Sequence, residues 1–270
     1  MAMLIDGVPD EQVSALDRGL AYGDGVYRTL QLVGGRPRLW RWQWQRLAED
    51  CARLALPLPD ERLVLAELAQ AAVGLERAVA KIVLTRGVGR RGYAMPADAV
   101  PTRIVSASPW TGYPAELAEQ GVTVRRCELR LGLQPRLAGI KHLNRLENVL
   151  ARSEWSDPTI HEGLLLDSEG YLVEGTMSNL FLLRGGELAT PLLDRSGVAG
   201  ALRAWVLDNA PALGLAVREA RLTLADLDAA EAVFLCNSLI GIWPVVRLGE
   251  RTWPIPHALR ALAAQLAAAA

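Results

Sequence analysis

Several things are scarce in this chain. Cysteine occurs three times in 270 residues, at Cys51, Cys127 and Cys236, with no C-x-x-C pair, which is too few and too scattered for a disulfide framework. Histidine also occurs three times (His142, His161, His257) without ligand spacing, so no metal site is expected. No run of about 18 apolar residues exists, and no transmembrane helix is expected. Met1 to Asp6 has neither a basic start nor a long apolar stretch, so no signal peptide is expected. Charge of one sign is missing as well. Lys plus Arg is 29 and Asp plus Glu is 30, a net charge of -1, which argues against a generic nucleic-acid binder. Locally placed arginines could still hold an anionic small molecule. The expected setting is cytoplasmic and reducing.

What is present is apolar surface. Hydrophobic residues make up 51% and charged residues 22%, enough burial to offset chain entropy and form a soluble globular protein. At about 150 residues per domain the length is just under two domains. Gly25 to Val33 alternates like a strand, and Gly34-Gly35 reads as a hairpin turn with a return strand through Leu39. Trp44, Leu47, Cys51 and Leu54 recur at helical spacing, which predicts a helix from Trp40 to Leu54, followed by a second over Asp60–Val73. Within the first, Trp40, Trp42 and Trp44 alternate, so at least one should be exposed or lie at a subunit contact. Strands are expected at 78–85 and 102–108, with a glycine-rich, arginine-rich loop (Gly87, Gly89, Gly92) between them.

Pro109 to Pro114 breaks both periodicities and reads as a linker. The predicted division is a first domain over 1–110, a linker at 111–114 and a second domain over 115–270. In the second, strands are expected near 121–128, 163–166, 171–173, 179–183, 215–219 and 231–236. Helices are expected near 142–156 and 200–210, with a terminal helix over Leu259–Ala270. Strands outnumber helices and few helices separate consecutive strands, so the layout is α+β rather than doubly wound. No internal repeat is evident.

Three features could carry chemistry. Lys141 is one of only two lysines, with Lys81, in a chain that otherwise uses arginine. An amine can lose its proton and attack a carbonyl, whereas a guanidinium cannot. Taken alone, a solvated lysine explains it more simply. Glu174 ends an apolar strand beside Gly175, where it could be a buried acid or, equally, a surface charge. The turn Ser196 to Arg203, bounded by Gly197 and Gly200, leads into a helix whose first N–H groups could bind an anion, or it is a plain helix entry.

In this order and spacing the three resemble the fold-type IV family of pyridoxal-phosphate enzymes, which holds branched-chain aminotransferases, D-amino acid aminotransferases and aminodeoxychorismate lyases. The resemblance covers nearly the whole chain. Asp17 to Tyr27 is similar to the family's N-terminal signature, and Gln45-Arg46-Leu47 to its phosphate-arginine helix. Lys141 falls at the Schiff-base lysine, Glu174 at the acid of the pyridine nitrogen, and Gly200 to Arg203 at the phosphate turn. Cys236-Asn237-Ser238 falls at a second phosphate contact. The resemblance implies a small N-terminal α/β sandwich and a larger C-terminal pseudo-barrel carrying the catalytic lysine. It implies pyridoxal 5'-phosphate held by Lys141, Glu174, Arg46, Ala201, Leu202, Asn237 and Ser238. Two departures stand out: Leu202 replaces a threonine common in relatives, so a bond there must come from the backbone, and Gln43 replaces a histidine.

Within that family, Leu137 to Glu147 and the loop Arg86 to Tyr93 resemble the lyases, while Asp17 to Tyr27 suits the D-amino acid aminotransferases equally. The lyase resemblance implies a substrate with two carboxylates, for which Arg90 and Arg91 are candidate clamps. Tyr27 and Thr29 would lie near cofactor and substrate, Thr29 beside Lys141 in the catalytic set. The implied reaction is elimination of pyruvate, giving 4-aminobenzoate for folate biosynthesis. An aminotransferase on the same scaffold is the alternative. A non-catalytic scaffold fits poorly with the joint presence of Lys141 and Glu174. The resemblance also implies a homodimer, for which the apolar and tryptophan surplus of the first domain supplies a physical motive.

Overall fold

The computed structural model describes residues 2–269. Met1 and Ala270, the outer ends of the expected N-terminal segment and terminal helix, lie outside them. The chain forms two compact units. The first comprises residues up to Gly112 together with Ile140–Asn144, and the second Tyr113–Gly139 together with the chain from Arg145.

The first unit is built on a six-stranded antiparallel sheet. Its elements are β1 (Ala2–Ile5), β2 (Val8–Pro9), α1 (Arg18–Tyr22), β3 (Gly25–Val33), β4 (Arg36–Pro37), α2 (Trp40–Arg53), α3 (Glu61–Ala71), β5 (Arg77–Thr85) and β6 (Arg103–Pro109). The strand order is β2-β1-β6-β5-β3-β4. Strand β3 alternates as expected: Val26, Leu30 and Leu32 are fully buried, while Tyr27 and Thr29 on the other face are half-buried. The inward residues pack with Leu47 and Cys51 of α2 and with Val64 and Leu68 of α3. Each such aliphatic side chain contributes about 1.5–3 kcal/mol when fully buried. The return strand is shorter than expected, because Leu39 is left-handed (φ 55°) and starts α2 directly. All three tryptophans of α2 are half-buried rather than exposed, with Trp40 and Trp44 stacked at 5.6 Å.

Segment 140–144 is the main correction to the expected layout. The sequence places Lys141 in the second domain, at the head of a helix over 142–156. Instead, Tyr27 N–H donates to the Lys141 carbonyl (3.0 Å) and Leu143 N–H to the Gly25 carbonyl (3.0 Å), so the segment adds to β3. Those peptide groups are spent on strand pairing, and the helix that follows covers only Leu146–Arg152. Its Leu146 and Leu150 are 75% and 57% exposed.

The second unit holds α4 (Ala115–Glu119), β7 (Val122–Leu131), α5 (Leu146–Arg152), β8 (Glu162–Asp167), β9 (Leu172–Gly175), β10 (Asn179–Arg184) and β11 (Glu187–Pro191). It continues through α6 (Ala201–Asn209), a 3-10 turn (Ala210–Leu213), β12 (Ala216–Ala220), α7 (Leu224–Ala229), β13 (Ala232–Asn237), β14 (Gly241–Leu248), β15 (Arg251–Thr252) and α8 (His257–Ala268). The sheet runs β12-β11-β10-β13-β14-β7-β8-β9, with β15 beside β14. β7 is parallel to both neighbours and β11 to β12; the other pairs are antiparallel. The sheet curls until its ends meet, since Leu172 N–H of β9 donates to the carbonyl of Leu222, two residues past β12 (2.8 Å). That is the pseudo-barrel of an α+β protein. Strands β11 and β14 were not expected; β14 carries Pro244, which reads as a breaker in sequence.

One buried carboxylate shapes the chain just after β9. Glu162, 1% exposed, accepts from the N–H groups of Gly163, Thr176 and Met177 and from the hydroxyls of Thr176 and Ser178. The turn from Gly175 to Ser178 has no regular ladder, and this side chain supplies its acceptors. Glu162→Gln puts an amide donor against these donors. It should destabilise by about 2–3 kcal/mol and lower Tm by several degrees in a thermal melt, whereas a surface Glu→Gln control should not.

Candidate active site

In the first unit, Lys141 is bonded on both sides of its backbone. Its carbonyl accepts from Tyr27, and its N–H donates to Asp50 Oδ2 at 3.1 Å. Its Nζ lies 4.4 Å from the centroid of the Tyr27 ring. Lys81 faces the same ring at 5.1 Å and pairs across the sheet with Thr29. The only two lysines of the chain thus meet at one aromatic ring, each with its amine attracted to the ring electrons. Asp50 lies one helical turn after Arg46 and forms a buried ion pair with Arg28, whose Nη2 also donates to the Arg46 carbonyl (2.8 Å). Burial pushes the Asp50 carboxyl above its ordinary value, and the Arg28 charge opposes it. Arg46 Nη1 pairs with Glu49 at 2.7 Å, while its Nε is buried without a hydrogen-bond partner.

The arginine-rich loop is held at its base. Arg18 donates to the carbonyls of Gly92 (3.0 Å) and Tyr93 (3.3 Å), and Gly92 N–H donates to the Tyr22 hydroxyl (3.3 Å). Asp24 receives both Arg18 Nε and Arg86 Nε at 2.9 Å. Gly87 is present for close approach, since a Cβ there would lie 1.8 Å from the Val100 carbonyl oxygen. The glycines therefore do not simply free the loop to swing. Arg90 and Arg91 are exposed, and neither arginine has an ion pair among the described residues.

In the second unit, Glu174 is 4% exposed at the end of β9, and its Oε2 accepts the Val198 N–H at 2.7 Å. It is a buried acid, not a surface charge. Asn179 fixes the following turn, donating to the Val198 carbonyl (2.7 Å) and accepting from Gly200 N–H (3.1 Å). A Cβ at Gly200 would stand 2.3 Å from Asn179 Oδ1, so this approach requires glycine. Helix α6 starts at Ala201 with no side-chain cap, which leaves the first-turn N–H groups of Ala201 and Leu202 without a side-chain acceptor. Asn237 is engaged: its Oδ1 accepts from Leu239 (2.8 Å) and Ile240 (2.9 Å), and its Nδ2 donates to the Met177 carbonyl (2.9 Å). At Asn237-Ser238 an anion could be met by the backbone, by Ser238 or by the second Asn237 Nδ2 hydrogen.

The model of the amino-transferase class IV family matches residues 25–248. The chain belongs to this family. It is 37% identical over 241 residues to an aminodeoxychorismate lyase of Vibrio harveyi, covering 89% of each chain. It is 34% identical to a putative branched-chain-amino-acid aminotransferase of Methanocaldococcus jannaschii, over 90% of this chain and 84% of that one. Among solved structures it is similar to the 4-amino-4-deoxychorismate lyase of Pseudomonas aeruginosa. The TM-score is 0.94 and the identity 48%, over 98% of this chain and 97% of that one.

Of the residues read from sequence in this class IV chain, the first unit brings together Lys141, Tyr27 and, through Asp50 and Arg28, Arg46. The second brings together Glu174 and the turn before Ala201 and Leu202. Sequence reasoning missed Arg28, Asp50, Glu162 and Asn179, and it treated Lys81 only as the other lysine. For Arg28 a signal was available: strand alternation puts it on the same face as Val26, Leu30 and Leu32. The cysteines offer no nucleophile, since burial pushes the thiols of Cys51, Cys127 and Cys236 up to about 12. Among the described residues no cluster of metal-ligating groups occurs, and no helix is long and apolar enough to cross a membrane.

The loop anchor yields a pH dependence. Burial alone would raise the Asp24 carboxyl, but hydrogen bonds from Arg86 and Arg18, together with their charges, outweigh it and hold it below its ordinary value. A depressed acid stabilises fully above its unfolded value, about 3.9, and that stability is lost as pH falls through the folded value. Asp24→Asn should lower Tm by roughly 5 °C near neutral pH. Melting curves across a pH series should show this gap closing only below about pH 4; a constant gap would mean the charge is irrelevant.

Proposed function

We propose that this chain is a pyridoxal-phosphate-dependent aminodeoxychorismate lyase that eliminates pyruvate from its substrate to leave 4-aminobenzoate. The observation that carries the reading is Lys141, held at both backbone groups with its amine against the Tyr27 ring. The lyases of Vibrio harveyi and Pseudomonas aeruginosa support it, at 37% and 48% identity against 34% for the putative aminotransferase.

Each unit supplies groups of the kind the cofactor needs. A phosphate needs a cation and N–H donors: Arg46 has a buried Nε without a partner, and α6 begins uncapped at Ala201-Leu202. The Arg46–Glu49 pair is partly exposed, of a kind worth about 0–1 kcal/mol, so a phosphate can compete for it. An aldehyde needs an amine, which Lys141 supplies, and a ring nitrogen kept protonated needs a buried carboxylate, which Glu174 supplies. When bound, the group serves as an electron sink for a carbanion next to nitrogen.

The chain's own residues do the rest. The Lys141 amine would take the proton from the substrate ring carbon bearing nitrogen. Tyr27 confines that amine, and Thr29 stands one alternation further along the same face of β3. Val198 N–H fixes one Glu174 oxygen, so the acid keeps its orientation. Arg90 and Arg91, exposed on an anchored loop, are the candidate clamps for the two substrate carboxylates, and Lys81 adds a cation at the Tyr27 ring. A homodimer belongs to the same reading and is supported by α5, which exposes Leu146, Val149 and Leu150 side by side.

The test is product analysis from aminodeoxychorismate with and without a keto-acid acceptor. The expected result is 4-aminobenzoate and pyruvate in equal amounts without an acceptor. Turnover should be abolished in Lys141→Ala and lowered at least a hundred-fold, about 2.7 kcal/mol or more, in Glu174→Gln. Turnover that requires the acceptor and yields an amino acid would make the chain an aminotransferase.

A further inference from the structure

We propose that the buried Arg28–Asp50 ion pair is a positioning device that sets the Lys141 backbone and so decides which of the chain's two lysines captures a pyridoxal-type aldehyde. The inference rests on the assignment of Lys141 as the cofactor lysine.

Arg28 is out of place by sequence pattern. It stands on the inward face of β3 with Val26, Leu30 and Leu32 and is 1% exposed. Its partner Asp50, 4% exposed, comes from α2 beside Leu47 and Cys51. Taking two charges out of water is costly, and apolar residues of similar volume in such a place are often as stable or more so. Stability therefore does not explain the pair, and what the pair touches offers a better account.

Asp50 Oδ2 receives two donors, the Arg28 guanidinium and the Lys141 N–H at 3.1 Å. The same Arg28 nitrogen, Nη2, donates to the Arg46 carbonyl at 2.8 Å. One carboxylate oxygen thus joins β3, α2 and segment 140–144. The Lys141 peptide is gripped on its N–H side by Asp50 and on its carbonyl side by Tyr27. With both sides held, the side chain leaves the backbone in one direction, over the Tyr27 ring. Burial favours the neutral form of Asp50, and the Arg28 charge opposes it, favouring the carboxylate whose Oδ2 accepts from both donors. Its Nε lacks a hydrogen-bond partner, a cost accepted at this site.

The double variant Arg28→Met/Asp50→Leu removes the pair without leaving a lone buried charge. Parent and variant are incubated with pyridoxal phosphate, trapped with borohydride and digested, and the Lys141-to-Lys81 labelling ratio is read by peptide mass. The parent should label Lys141 in preference. The variant should melt near the parent, yet its ratio should fall roughly ten-fold, as for loss of one hydrogen bond to a charged group. Arg28→Lys, which keeps the cation, should retain most of the preference. If the apolar pair does not fold, Arg28→Gln/Asp50→Ala, which likewise leaves the Lys141 N–H without a side-chain acceptor, carries the comparison with the same expected direction. A parental ratio in a folded double variant overturns the inference. A parent that labels Lys81 as readily as Lys141 would instead overturn the cofactor-lysine assignment.

Discussion

Lys141 owes its position to bonds at its own backbone groups, one of them to the buried Asp50 side chain. Its carbonyl is bonded to Tyr27 and its N–H to Asp50, and Leu143 adds a third bond to Gly25. A five-residue segment distant in sequence thereby becomes part of the first unit's sheet. A lysine on a loose loop would sample many directions, and each rotatable bond would have to be ordered when a ligand arrives. Holding the peptide from both sides removes most of that cost before any ligand binds. The amine, the Tyr27 ring and the Arg46 helix then come as one preassembled group.

The second unit uses the same economy with different parts. Its functional candidates lie where strands end and turns begin, places with few ladder bonds. Buried side chains make up the deficit: Glu162 serves the turn after Glu174, and Asn179 serves the turn before Ala201. Glu174 is itself fixed by a backbone N–H. These acceptors keep irregular backbone rigid without regular secondary structure, so a carboxylate and an uncapped helix start can be presented on fixed geometry.

Much of this was legible in the sequence, for reasons that differ by residue. Strand β3 and helices α2 and α3 follow from periodicity, because each buries one face against the same core. Lys141 and Glu174 stood out through scarcity and through position at a strand end. The segment around Lys141 was misread because Leu143, Leu146 and Leu150 have helical spacing, whereas long-range bonds to β3 claim the first of them and leave the other two exposed. Tertiary pairing overrode a local pattern. Strand β14 was missed because its proline argues against a strand. Arg28 and Asp50 escaped notice because a buried ion pair joins two elements that the sequence does not show to be adjacent. Only the register of β3 hinted at it.

Amide hydrogen exchange on the free protein, resolved over residues 139–145, tests most directly whether Lys141 is held before any ligand arrives. This account predicts that the Lys141 amide, bonded to Asp50, and the Leu143 amide, bonded to Gly25, exchange as slowly as the amides within β3, although the segment belongs to no long strand or helix. Exchange as fast as in the exposed loop around residues 96–99 would contradict it, since the lysine would then be ordered only by what binds to it.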